Sequence, residues 1–221
     1  MSRRLPLATS TIVAAVLAAA ALVTAFAPAV DADPRNGPDA ALAVDIAFAE
    51  AFTDPAAPLI ETLRRATPSK SLGALDAVYT VEHQVPIGDG RTLFVTESFT
   101  VRSLFQWPRR AVLFLSGSAF RGDHWSIPVD GYDGTAMAAR RGFFAYTVDY
   151  LGVGDSFRPA DGAAVTFEAN RDATHRLLRL IRGFRLVPKV DLVGAGYGGS
   201  LATQLAVDGR RVRSVVMSAM L

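Results

Sequence analysis

The sequence contains no cysteine and only three histidines in 221 residues. Without thiols there is no disulfide framework, no thiolate metal ligand and no lipid-modified cysteine, so the core alone must hold the fold. No pair among His83, His124 and His175 has metal-ligand spacing, and neither a metal nor a cofactor is expected. Net charge is also small, at +2. The arginines are scattered instead of forming a block with aromatics, which gives nucleic-acid binding no support. What the chain does have is apolar residues, 50% of the total, enough for one sizeable core in a single domain.

The apolar run from Ile12 to Val23 follows Arg3 and Arg4 and precedes the small-residue segments Ala27-Pro28-Ala29 and Val30-Asp31-Ala32. It falls short of the roughly 20 residues a membrane span needs. Residues 1–32 read as an export signal cleaved after Ala32, of the Sec or twin-arginine type, with Ser2-Arg3-Arg4 and Leu7 suiting the latter. The expected destination is the bacterial periplasm or the extracellular space, with no membrane span left after cleavage.

Residues 33–76 read as a linker and helical extension. Asp33 to Pro38 is a polar Pro/Gly stretch, followed by helix-compatible segments from Ala40 to Phe52 and from Pro58 to Ala66. Leu42, Ile46, Ala49 and Phe52 recur at helical spacing, which suits packing onto the domain that follows.

That domain is expected over residues 77–221. Val78 to Ile87 and Thr92 to Val101, joined by Gly88-Asp89-Gly90, read as an antiparallel hairpin. Ala111 to Leu115 suits a strand covered on both faces, as do Phe143 to Val148 and Val190 to Val193. Helices are expected over Asp133 to Arg141 and Thr166 to Phe184, and a last strand over Val212 to Ser218. Alternation of this kind means a mostly parallel, doubly wound α/β sheet preceded by an antiparallel hairpin. Trp107 and Trp125 read as packing residues.

At Leu192 to Ala206 an apolar strand strikes four glycines and continues as a helix-compatible segment. Two readings compete. Gly194, Gly196 and Gly199 spell the G-x-G-x-x-G dinucleotide fingerprint, but no Asp or Glu follows about 20 residues on to hold the ribose. Gly194-Ala195-Gly196-Tyr197-Gly198 instead has the layout of the G-x-S-x-G nucleophile elbow, with glycine where the serine stands.

Three landmarks in order decide between them. Leu115-Ser116-Gly117-Ser118 is similar to a His-Gly oxyanion segment, Gly142 to Ser156 to a G-y-x-V-x-x-D-x-x-G-x-G-x-S strand and loop, and Leu192 to Gly199 to L-V-G-H-S-x-G-G. From about Val78 to Met220 the chain resembles the N-terminal part of the α/β-hydrolase family of serine esterases, lipases and peptidases. The resemblance implies a nucleophile at position 196, oxyanion amides at Ser118 and Tyr197, and a pocket near Ser116 and His124, with Gly194, Gly198 and Gly199 shaping the elbow. It also implies that the sheet stops after about its sixth strand, so the acid and histidine that the family places later are absent.

Gly196 has no oxygen to activate, so acyl-enzyme chemistry is closed as the sequence stands. Ser200, in Gly198-Gly199-Ser200-Leu201-Ala202, could substitute only by pushing the glycines back into the strand. The expectation is therefore an exported, non-catalytic hydrolase relative. The alternatives are an active serine hydrolase in a longer form, a module that binds a small acyl or ester-like molecule, and a dinucleotide-binding protein.

Overall fold

The structure, a computed structural model, describes residues 76–118, 120–129, 131–209 and 211–218. The expected signal and nearly all of the extension after it lie outside the described residues.

Six strands form one sheet in the order β1-β2-β4-β3-β5-β6. These are β1 (Val78–Gly88), β2 (Arg91–Thr100), β3 (Arg110–Leu115), β4 (Phe143–Val148), β5 (Val190–Ala195) and β6 (Val212–Ser218). β1 and β2 form the antiparallel hairpin, β2 also runs antiparallel to β4, and the pairs β3/β4, β3/β5 and β5/β6 are parallel. This is the mostly parallel α/β sheet with an antiparallel hairpin that the sequence pattern implied.

Four α-helices lie among the described residues: α1 (Val101–Phe105), α2 (Gly134–Arg140), α3 (Phe167–Arg185) and α4 (Tyr197–Val207). They cover both faces of the sheet. Leu177, Leu178 and Ile181 of α3 and Leu201 and Leu205 of α4 are buried with Leu113, Leu192 and Phe144 in the larger core. On the other face Val112, Phe114 and Ala145 pack with Ala138 of α2 and with Trp125. Thr166 starts α3 by accepting a hydrogen bond from Ala169 N at 3.1 Å.

The expected hairpin strand runs one residue too far. It ends at Thr100, whose side chain and that of Ser103 cap each other's backbone and begin α1. Trp107 also departs from the packing reading, being 75% exposed, whereas Trp125 stacks on Phe114 with centroids 5.3 Å apart. Strand β6 leaves Val216 and Met217 exposed at the edge of the sheet.

Candidate functional site

At the end of β5 the chain turns directly into α4, and three glycines make the turn possible. A Cβ on Gly194 would lie 2.7 Å from Gly199 Cα, and one on Gly198 would lie 2.6 Å from Ser116 O. Helix α4 can therefore sit against both β5 and the end of β3 only without side chains at these positions. Between them Gly196 adopts φ 52°, ψ −118°, the angles of the first central residue of a type II′ turn. Its N–H donates to Ser218 O at 3.0 Å and its carbonyl accepts from Gly199 N at 2.9 Å. The junction is thus tied to β6 on one side and to the first turn of the helix on the other.

The segment after β3 comes to the same place. Ser116 is fully buried; its Oγ donates to Arg121 O at 3.0 Å, and its carbonyl accepts from Tyr150 Oη at 2.9 Å. Tyr150 meets Tyr197 edge-on at 5.3 Å, and Phe167 meets Tyr197 at 5.5 Å. Asn170 closes the group: it accepts from Leu151 N at 3.0 Å and donates from Nδ2 to Tyr197 Oη at 3.2 Å. Burial pushes the phenol of Tyr150 well up, and that of Tyr197 up as well, so both remain protonated donors at neutral pH.

The loop after β4 is locked by its own polar residues. Asp149 accepts from Gly122 N at 2.7 Å and from Asp155 N at 3.1 Å. Ser156 Oγ donates to Asp149 O at 2.6 Å and accepts from Phe94 N at 2.8 Å. Asp149 therefore holds its own loop and the segment following Ser118 in one arrangement.

Of the residues singled out in the sequence, Ser116, Tyr197 and the glycines at 194, 196, 198 and 199 come together here. Ser118 is exposed in the turn just after Gly117. His124 is exposed, its ring 4.9 Å from Phe120 and 5.6 Å from Trp125. Ser200 is exposed in the first turn of α4, where its N–H donates to Gly196 O at 3.2 Å. The other two histidines sit elsewhere: His83 is 3.3 Å from buried Glu97, and His175 lies 3.8 Å from Asp208. Tyr150 and Asn170 escaped the sequence reading, although Tyr150 follows the motif aspartate directly.

Residues 112–221 match the model of the alpha/beta hydrolase family, and through this half of its length the chain belongs to that family. No curated protein matches it. Among solved structures, the thioesterase domain from the curacin biosynthetic pathway matches with a TM-score of 0.51 at 16% identity, over 64% of this chain and 46% of that one. A 2-hydroxy-6-oxo-6-phenylhexa-2,4-dienoate hydrolase from Rhodococcus matches at 0.50 with 18% identity, over 65% and 47%. A mutant epoxide hydrolase of Vigna radiata matches at 0.50 with 21% identity, over 64% and 40%. The chain spans less than half the length of each, and at these identities the likeness shows the fold.

Proposed function

We propose that this chain is an exported member of the family whose elbow carries glycine in place of the nucleophile, so that it forms no acyl-enzyme as it stands. The observation that supports this is Gly196 at the strand-to-helix junction with φ 52°, ψ −118°. A nucleophile elbow holds its serine in a strained conformation at that point, and glycine meets the same angles without a Cβ penalty. Family membership favours the elbow reading of these glycines over the dinucleotide one. What remains is a helix start at which Tyr197 and Gly198 precede the first intrahelical bonds, those of Gly199 and Ser200 to Gly196 O, which suits holding the carbonyl of a small acyl or ester-like molecule without cleaving it.

Two measurements check the reading. The full chain is expected to bind short acyl esters without hydrolysing them, seen as ligand-dependent thermal stabilisation with no product release; saturable hydrolysis abolished by an organophosphonate would sink it. Gly196→Ser is expected to lower stability by about 1–3 kcal/mol, the strain of a side chain at this φ, as read by urea unfolding. An unchanged midpoint would mean that position 196 is not held in the elbow conformation.

Export rests on Arg3, Arg4 and the apolar run from Ile12 to Val23. The intact mass of the product released by the source cells is expected to show Asp33 at its N-terminus; a product retaining Met1 would contradict the signal reading.

A further inference from the structure

A cavity of about 430 Å³ opens on the face of the sheet that carries α2. None of the elbow glycines and none of Ser116, Gly117 and Ser118 lines it; it lies away from the elbow and shares only Phe94, Gly122, Asp149 and Asp155 with the locked loop described above. Its floor is a row across three strands, Glu82 of β1 opposite Thr96 of β2, and Thr96 opposite Thr147 of β4. The ring of Phe94 lies beside the row, and the wall carries Asp123, Asp149, Asp155 and Arg121.

Charge in the cavity is unbalanced. The lining has four carboxylates to one guanidinium; Arg121 pairs with Asp155 and, at 3.6 Å, with Asp149, which leaves Glu82 and Asp123. Glu82 forms no ion pair among the described residues.

The second observation is Thr147. It is 2% exposed and lines the cavity, yet its hydroxyl makes no hydrogen bond among the described residues. Neighbours on the same face are satisfied: Ser98 meets Thr80 at 3.2 Å and Thr135 at 3.5 Å. The cavity is where this hydroxyl can find a partner. Gly122 roofs it closely, since a Cβ there would lie 2.9 Å from Thr147 Oγ1.

We propose that this cavity binds a small organic cation with a primary ammonium or guanidinium head. The charge faces Glu82 and Asp123, one N–H donates to Thr147 Oγ1, and the Phe94 ring takes the cation or its stem against its face. The chain's own Arg121 shows that Asp149 and Asp155 accept a guanidinium. A metal ion suits the donors less well, because among the described residues no group of three or more His, Cys, Asp or Glu side chains is placed to hold one. An ammonium or guanidinium needs only separate acceptors spread over a wall, which is what the floor and loop supply. The inference stands independently of the function proposed above.

Isothermal titration of the full chain with agmatine at low ionic strength tests it. Saturable binding with Kd of about 1 mM or tighter is expected, weakened about tenfold in Glu82→Gln and in Thr147→Val, and restored by Thr147→Ser. Glu82 is exposed, so its variant should fold even if the Thr147 variant does not. Absence of saturable binding, or equal affinity in either folded variant, would overturn the proposal. Saturation by magnesium chloride with the same dependence on Glu82, and none by agmatine, would overturn it in favour of a metal.

Discussion

Replacing Arg185 with alanine is expected to lower the unfolding free energy by about 3–5 kcal/mol, because it strands a buried carboxylate. Arg185 lies at the last position of α3 and donates to Glu97 of β2 from Nε at 2.7 Å and from Nη2 at 2.6 Å. Glu97 is fully buried, and Tyr146 Oη donates to it at 2.5 Å. The guanidinium is also enclosed by aromatic faces, 4.5 Å from the Phe144 centroid and 4.4 Å from that of Phe184. Replacing the pair together, Glu97→Leu with Arg185→Met, is expected to cost less than Arg185→Ala alone, since no unpaired charge is left inside.

The same pair sets a pH dependence. Burial alone would raise the Glu97 carboxyl, but Arg185 and then His83 outweigh it and hold it well below the usual carboxylate range. A pKa depressed in the folded state gives stability that is fully present above the unfolded value, about 4.3, and lost as pH falls further. In Arg185→Ala the burial effect dominates and the sign reverses, so that variant should gain stability as pH is lowered through the raised pKa. Urea midpoints between acid and neutral pH check both slopes; parallel curves for the two proteins would show that the pair is not coupled.

Gly198→Ala is expected to be the other severe change, costing about 3 kcal/mol or more. The added Cβ would lie 2.5 Å from Leu115 C and 2.6 Å from Ser116 O. Both are backbone atoms, so relief requires α4 to move away from β3. Gly183→Ala supplies the contrast: nothing lies within 4 Å of a Cβ there, and in an exposed position within α3 alanine should stabilise by about 0.5–1 kcal/mol. Thermal unfolding of the two variants side by side distinguishes close packing at the elbow from a general sensitivity to glycine replacement.

Much of the sheet could be read from residues alone because local and global preferences agree there. Phe143–Val148 and Val212–Ser218 match their expected limits, the first as an apolar run after Gly142 and the second as a valine-rich segment after the turn before Val212. The start of α3 was equally plain, since Thr166 is a good cap and the inward stripe begins a turn later. The short helix α1 was missed because the strand and helix patterns meet at Thr100 and the capping pair Thr100 and Ser103 is a weak signal against a long β-rich run.

The buried pair was missed for a different reason. Glu97 occupies the inward phase of Leu93, Val95 and Phe99, and Arg185 falls four residues after Ile181 on the inward stripe of α3. Each looks like a solvated charge when read by itself. A charge in phase with an apolar face on two separate elements is the signal that would have joined them. At the candidate site the glycines could be placed from the motif spacing. Tyr150 and Asn170, which hold the pieces together, carry no motif of their own, and their roles follow only from three segments meeting.

The central claim is that position 196 lies at the elbow and offers no nucleophile. Incubating the full chain with an alkyl fluorophosphonate, whose P–F bond an activated serine breaks with loss of fluoride, then mapping adducts by mass spectrometry, tests it most directly. No adduct on any serine is the expected result. A stoichiometric adduct on the unsubstituted chain, at Ser200 or at any other serine, would contradict it and make the chain a serine hydrolase in its own right.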